Sequence, residues 1–253
     1  MEIYVLLALL VIVIVFAHYY EHYRVSVSIK KASSEIENYC KKNNLEFNER
    51  LRDKTDLYDF VTHSLLLDKG ESREYLSEMS GIRNGVSFST FYFKYITIDS
   101  EGGKYTNFET VCIISKPEFD FPIFRLKESD QETKGFLGDL FFSAICLNIF
   151  EVLAVVLNKV FKSKTVNFGY DKAFSKKFFV EGLNEPEIKA FLSRDVRYSF
   201  LKNHVKGYQY ECFDNFILVS KYGSLDLKGR LKMLSSLLNI TRDFRENSGE
   251  LLR

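Results

Sequence analysis

The chain has 253 residues, with 35 Lys or Arg against 34 Asp or Glu and a formal net charge of +1. So balanced a charge excludes a protein that attracts nucleic acid through the field of the whole molecule, and we expect no nucleic-acid partner. The chain has 24 Phe and 15 Tyr but no Trp. About 230 residues follow the apolar first segment, enough for one large domain or two small ones.

The first predicted element is a transmembrane helix. Residues 3–17 form an uncharged apolar run. A bilayer core needs about 20 such residues, and Met1 together with interfacial tyrosines at positions 19, 20 and 23 completes that length. A cleaved signal peptide is the alternative, but it would need a basic start, whereas this chain begins Met1-Glu2. We therefore predict an uncleaved anchor over residues 1–23.

Charge asymmetry around the run predicts its orientation. No Lys or Arg precedes it, and the basic residues that follow are Arg24, Lys30, Lys31, Lys41 and Lys42. The positive-inside rule then predicts a single-pass protein of the cell membrane, with its N-terminus outside and its body in the cytoplasm. The four cysteines lack close pairing, which suits reduced thiols in a cytosolic fold. They are Cys40, Cys112, Cys146 and Cys212.

Residues 24–44 read as a juxtamembrane helix. Apolar residues recur there at spacings of three and four, namely Val25, Ile29, Ala32, Ile36 and Tyr39. Charged residues fill the other faces, and Asn43-Asn44 ends the helix. The narrow apolar stripe can dock either on the body or on a partner helix.

Residues 45–127 are predicted to form a first α+β unit. It starts with a short strand at 45–47, followed by a helix from Asp56 that Gly70 closes. Asn84-Gly85 then supplies the two positive-φ residues of a tight hairpin turn. Val86–Ile98 is the next strand, and its large residues on both faces predict a central position in the sheet. Strands at 108–115 and 123–126 complete an antiparallel meander, with Pro117 and Pro122 bracketing the loop between them.

Residues 133–161 contain a second apolar segment, most apolar over 136–161. Glu151 argues against a membrane span, because a carboxylate at mid-bilayer costs about 2.5–3.5 kcal/mol on insertion scales. Lysines flank the segment on both sides. If the segment crossed the membrane, one of these basic flanks would lie outside, against the positive-inside rule. We predict a buried or interfacial helix, with a second span as the alternative.

Residues 162–253 are predicted to form a second α+β unit. It begins with a strand at 174–180, followed by a short helix that Asn184 caps, with Glu187 three residues later. Strands at 208–213 and 216–221 form a hairpin across Asp214-Asn215. Ser224 then caps a final helix whose apolar face consists of Leu227, Leu231, Leu234, Leu237, Leu238, Ile240 and Phe244. The tail after Asn247 is expected to fray.

Several short motifs resemble a broad group of bacterial proteins that have an N-terminal membrane segment and no assigned activity. The first set is Gly81-Ile-Arg-Asn-Gly85, Phe91-Tyr-Phe-Lys-Tyr95, Thr110-Val-Cys-Ile-Ile114 and Phe124-Arg-Leu126. The second set is Val166-Asn-Phe168, Ala173-Phe-Ser175, Phe178-Phe-Val180-Glu-Gly182 and Asn184-Glu-Pro-Glu187. The resemblance runs from Leu45 onward and implies an α+β architecture without any chemistry. The apolar insert at 136–161 departs from the group because it is enlarged.

No catalytic, cofactor-binding or metal-ligating residues are predicted. His18 and His22 share a helix face but lack a third ligand nearby, and His63 and His204 are isolated. Nucleophile and phosphate-loop motifs are absent from the sequence. A basic cluster that starts at 159–164 and continues with Lys172, Lys176 and Lys177 faces either anionic lipid or solvent.

The sequence therefore predicts an α+β protein with an N-terminal transmembrane helix and one or more antiparallel subdomains packed with helices. A membrane-tethered interaction or structural module without enzymatic activity or cofactor is the favoured function. The lipid bilayer is its predicted partner, with a protein partner or a second copy of the chain as further candidates. The alternative is a membrane-associated enzyme or lipid-binding protein with an apolar, aromatic-lined pocket.

Overall fold

A computed structural model describes residues 27–51, 69–99, 102–129 and 164–247, together with positions 16, 20, 23, 64 and 67. Among these residues no helix is both long and apolar enough to cross a bilayer. Several predictions lie outside the described residues: most of the run at 3–17, the body of the helix from Asp56, the segment at 136–161 with Glu151, and the tail after Asn247. The same holds for His18, His22, His63 and Cys146.

The described strands form one antiparallel sheet. They are β1 (Glu46–Arg50), β2 (Glu71–Arg83), β3 (Val86–Ile98), β4 (Lys104–Ser115), β5 (Phe121–Glu128), β6 (Lys164–Thr165), β7 (Phe178–Gly182), β8 (Tyr208–Asp214) and β9 (Phe216–Tyr222). Their order across the nine-stranded sheet is β1-β2-β3-β4-β9-β8-β5-β7-β6. The predicted units at 45–127 and 162–253 thus contribute to the same sheet, with β5 of the first lying between β8 and β7 of the second.

The described helices are α1 (27–43), α2 (Lys172–Lys177), α3 (Glu185–Phe191), α4 (Arg194–Asn203) and α5 (Leu227–Asn247). The larger apolar core lies between one face of the sheet and α1, α3, α4 and α5. A smaller core covers the opposite face of β2, β3, β4 and β9 and includes Leu51 and Leu67. The predicted α+β class is confirmed.

The prediction for β3 is confirmed in its bounds and its central position. Phe88 and Tyr92 belong to the larger core, whereas Phe91, Phe93 and Tyr95 belong to the smaller one. The alternation of a strand places these two sets on opposite faces, so β3 is buried on both sides and lies between β2 and β4.

Both predicted two-residue hairpin turns are confirmed. Asn84 and Gly85 have φ of 56° and 71°, and Arg83 pairs directly with Val86. Asp214 has φ of 49°, and Phe213 pairs with Phe216 around it. Residues with a short polar side chain or none adopt this left-handed conformation at lowest cost.

Several local predictions are wrong. The strand predicted at 174–180 begins only at Phe178, because Asp171 accepts a hydrogen bond from Phe174 N and starts α2 instead. Pro122 lies inside β5, next to a register irregularity between β5 and β8 that accommodates a residue without an N–H. The structure also contains α4, which was not predicted.

Two helix caps also differ from prediction. The final helix is capped by Asp226, whose carboxylate accepts from Gly229 N at 2.8 Å, and not by Ser224. Asn184 does precede α3, but its side chain makes no capping hydrogen bond.

Candidate functional site

The candidate site is a groove of about 780 Å³ between α1 and the sheet. It runs across β1, β2, β3 and β4, below the first turns of α1. Its apolar lining consists of Ile29, Phe47, Leu76 and Phe108. Serine hydroxyls and charged side chains complete the lining, which makes the groove amphipathic.

Docking of α1 on the body builds one wall of the groove. Ile29, Ala32, Ile36 and Cys40 are buried in the larger core, so the predicted apolar stripe packs on the body. Their spacings of three, four and four residues place them on one helix face. The neighbouring face of α1 then overhangs the sheet and carries Ser33 and its neighbours above the groove.

A bulge in β2 shapes the floor of the groove. The pairing of β2 with β3 shifts between Leu76 and Met79, and Ser77 within the shift has φ of 54°. A non-glycine residue in this region is strained, and such residues concentrate at functional sites. Ser33 donates its single hydroxyl proton to Ile29 O at 2.7 Å. The Ser77 hydroxyl therefore donates to Ser33 and joins the bulge to α1.

The charged side chains that line the groove balance formally, with three cations and three carboxylates, but they are not all ion-paired with one another. Lys94 and Glu74 form an ion pair at 2.8 Å, and Glu37 pairs with Lys41 at 2.6 Å on α1. The remaining charged lining residues are Lys30, Glu49 and Arg50. None of these three has an ion-pair partner among the residues that the structure describes. Within the described lining, the charged side chains without an ion-pair partner are thus two cations and one carboxylate.

A buried arginine lies behind the floor of the groove. Arg230 on α5 is 0% exposed, and its Nη1 donates to Ser77 O at 2.6 Å and Thr90 O at 3.0 Å. Its guanidinium carbon lies 3.8 Å from the centre of the Tyr92 ring. Burial lowers the pKa of Arg230, which Tyr92 partly offsets. Burial likewise raises the pKa of Tyr92, whose hydroxyl donates to Leu225 O at 2.7 Å.

The described cysteines are unsuited to catalysis. Cys40, Cys112 and Cys212 are free and buried. Burial raises the pKa of Cys40 to about 11 and that of Cys112 well above its usual range, although Arg230 opposes both shifts. Because the thiolate is the reactive form, these thiols are inert near neutral pH.

A second polar cluster lies at the C-terminal end of β5. Glu128 is buried, bonds to His204 Nε2 and accepts from Gly207 N at 3.0 Å. Burial lowers the pKa of His204 despite the neighbouring carboxylate. Burial tends to raise the pKa of Glu128, but the hydrogen bonds from His204 and Gly207 leave it lowered.

This pair lacks the geometry of a catalytic dyad. His204 Nδ1 is buried and has no hydrogen-bond partner in the described part of the chain, so no nucleophile is joined to the ring. Its ring packs edge-on against Phe178 at 5.0 Å. His204 is therefore a core histidine with one satisfied nitrogen.

Three lysines of the predicted basic cluster lie on a short helix beside two ion pairs. Asp171 forms an ion pair of 2.7 Å with Arg197. Lys172, Lys176 and Lys177 all lie on α2, and Lys177 Nζ lies 3.4 Å from Glu128. No group of three or more His, Cys, Asp or Glu side chains that could hold a metal occurs within the described ranges.

Sequence reasoning missed Arg230, although a signal was present. Arg230 is three residues after Leu227 and four before Leu234, within the apolar face predicted for the final helix. An arginine on an apolar helix face is buried together with its charge unless its side chain is long enough for the guanidinium group to reach water. Such a residue is therefore a candidate for a special role.

Most of the aromatic side chains that the structure describes in the larger core pack against one another. Phe200 lies 5.3 Å from Tyr210 and 5.7 Å from Phe244, and Phe244 lies 5.6 Å from Phe191. These are ordinary centroid separations for packed aromatic rings. The groove below α1, rather than the aromatic core, is therefore the candidate site.

The fold is an α+β fold with one antiparallel sheet covered by helices, and it occurs in a protein of known structure. The chain matches the crystal structure of the mycobacterial trehalose monomycolate transport factor A, TtfA, with a TM-score of 0.53. The match covers 85% of this chain and 94% of that chain at 10% sequence identity, which shows a common fold. No family model matches the chain, and no curated protein matches it.

Proposed function

We propose that the protein is a membrane-tethered, non-enzymatic module that binds a lipid or a similar amphiphile in the groove below α1. The observation that carries the proposal is an open, amphipathic groove that starts at Ile29 and Lys30, in the first described turns of α1. Its size falls within the range of small-molecule sites, about 300–1,000 Å³.

The tether is proposed from the residues that precede α1. Phe16, Tyr20 and Tyr23 are helical and 71%, 66% and 62% exposed. Their spacings of four and three place them on one helix face, and aromatic residues favour the level of the lipid headgroups. From Tyr23 to Ile29 a helix advances about 9 Å, so an anchored α1 brings the groove close to the bilayer surface.

The body is proposed to face the cytoplasm, with one crossing by residues 1–23. The charge asymmetry around the apolar run supports this orientation. The fold match supports a role near lipid more loosely, because TtfA is named as a transport factor for trehalose monomycolate. The bacterial group suggested by the sequence motifs remains part of the same proposal.

Lipid photo-crosslinking tests the proposal. The full chain is placed in phosphatidylcholine nanodiscs that contain a lipid with a diazirine on its acyl chain. Irradiation should attach the lipid to peptides that contain Ile29, Phe47 or Leu76, as mapped by mass spectrometry. Ser34→Trp should reduce these adducts several-fold, because Ser34 is exposed and lines the groove.

Asn38→Trp is the matched control, because Asn38 is exposed on the same helix but does not line the groove. Its adducts should equal those of the wild-type chain. Adducts confined to the segment before residue 24, with none in the groove, would refute lipid binding while leaving the tether intact.

A further inference from the structure

The charge of Arg230 is buried without an ion-pair partner among the residues that the structure describes. The structure pairs no carboxylate with it among the described residues, and its Nε and Nη2 atoms are buried without hydrogen-bond partners. Thr90 Oγ1, on the strand that Arg230 contacts, is also buried and unpartnered. Buried charges are normally paired and buried polar atoms normally bonded, so this cluster needs an explanation.

The bulge in β2 explains only part of the arginine. Arg230 Nη1 donates hydrogen bonds to the carbonyl oxygens of Ser77 and Thr90, at a point where the pairing of β2 with β3 is irregular. A neutral donor would serve that purpose at a lower desolvation cost. A methionine of similar volume would fill the space but would leave both carbonyls without a donor. The charge itself is therefore the feature without a structural role.

The position of Arg230 behind the floor of the groove gives its charge a role. Ser77 lines the groove on one side and accepts from Arg230 on the other, so the guanidinium lies one peptide unit behind the groove floor. A charge in a low-dielectric interior acts over such a distance more strongly than a surface charge, and salt screens it less. Within the described part of the groove lining, Lys30 and Arg50 are cations without an ion-pair partner, and Glu49 is the one carboxylate without a partner.

We propose that the groove selects an anionic amphiphile, and that Arg230 is a specificity determinant that acts through the groove floor. The headgroup, a phosphate or a carboxylate, lies near the hydroxyls of Ser33 and Ser77. The acyl chain follows the apolar lining. This inference rests on the proposed function and adds the charge of the ligand.

The test compares two lipids with the same diazirine acyl chain. Phosphatidylglycerol is anionic and phosphatidylcholine is zwitterionic, and each is added at the same mole fraction to nanodiscs that contain the full chain. The wild-type chain should form about tenfold more groove adducts with phosphatidylglycerol, equivalent to about 1.4 kcal/mol. The preference should persist in part at about 0.5 M NaCl, because salt screens surface lysines but not a buried arginine.

Arg230→Met should reduce the preference to about twofold while leaving the phosphatidylcholine adducts unchanged. The same variant should melt below the wild type, because the carbonyls of Ser77 and Thr90 lose their donor, and a cooperative transition shows that it is folded. Arg242→Met is the matched control, because Arg242 lies on the same helix with a side chain that is 61% exposed. It should keep the full preference.

A second variant keeps the inference testable if Arg230→Met does not fold. Lys30→Gln combined with Arg50→Gln changes only exposed residues and should lower the preference several-fold. Inorganic phosphate as a competitor distinguishes an anionic lipid headgroup from a free phosphate ion. Adducts that persist in phosphate support the lipid assignment, whereas phosphate binding to a chain that forms no groove adducts would assign the site to the free ion and overturn it.

The outcomes separate the two proposals. Equal groove adducts with both lipids would overturn the charge selectivity and leave lipid binding intact. An unchanged preference in folded Arg230→Met would overturn the role of Arg230. Absence of groove adducts with either lipid would refute the proposed function itself.

Discussion

Gly182 offers a sharp test of how α3 packs on the sheet. It lies in β7, opposite Phe124 of β5, and has an ordinary φ. A Cβ atom at this position would lie 2.3 Å from Ile188 Cδ1 and 2.7 Å from Ile123 O. The first atom belongs to a buried side chain and the second to the backbone, so neither can move away cheaply. Gly182→Ala must therefore push α3 and β5 apart.

The expected loss of stability is about 2 kcal/mol. Overpacking costs roughly 1–3 kcal/mol, and the overlap with a backbone atom favours the upper end. The hydrogen bond from Leu183 N to Ile123 O, already 3.4 Å long, weakens as well and adds up to about 1 kcal/mol. Burial of the added methyl group and the lower conformational entropy of the unfolded chain together offset this loss by about 1.5 kcal/mol.

Urea unfolding of the full chain in nonionic detergent, followed by circular dichroism, measures this difference. The midpoint of Gly182→Ala should fall by about 1 M with an unchanged slope. Gly169→Ala is the control, because its Cβ would contact only the Asn167 side chain, and its stability should stay within about 0.5 kcal/mol. A midpoint for Gly182→Ala at or above that of the wild type would refute the described packing of α3.

Three further predictions concern the turn, the buried histidine and the topology. Gly85→Val places a β-branched residue at φ of 71° and should lower the unfolding free energy by about 1–2 kcal/mol; unchanged thermal stability would reject the turn. Burial lowers the pKa of His204 from its unfolded value of 6.5. The unfolded chain then binds the proton more readily, and stability should fall as the pH drops below about 6.5. Glu128 stays ionised at that pH because its pKa is lowered from 4.5. His204→Gln should therefore flatten the pH dependence of the unfolding free energy between about pH 7 and pH 5. An equally steep dependence in the variant would contradict the assignment of the effect to His204. Single engineered cysteines near Lys42 and near Ser248 should resist a membrane-impermeant thiol reagent in intact cells. Reaction near Ser248 alone would mean that residues 136–161 span the membrane. Reaction at both positions would place the body outside the cell.

Local signals were sufficient for elements whose conformation is set by nearby residues. Asn84-Gly85 predicts its hairpin because the turn needs two residues that tolerate positive φ. The large residues on both faces of β3 predict a central strand, since such a strand is buried on both sides. The stripe from Ile29 to Ile36 predicts an amphipathic helix for the same reason of periodic burial.

Local competition explains the failures within single elements. Phe174 and Phe178 fit an alternating strand, but they are also four residues apart and therefore lie on one face of a helix. The cap from Asp171 decides for the helix. Ser224 and Asp226 are both good capping residues, and which of them accepts depends on where α5 meets the sheet.

The sequence by itself determined the strands β3, β8 and β9, the amphipathic helix before the body, and the two tight turns, because these depend on side-chain periodicity and local backbone preference. Only the tertiary structure decided that β5 lies between β7 and β8, so that both halves of the chain share one sheet. It alone placed Arg230 against Ser77, 153 positions apart in the chain. Contacts at such separations depend on which apolar faces meet when the chain collapses, and no local pattern encodes that choice.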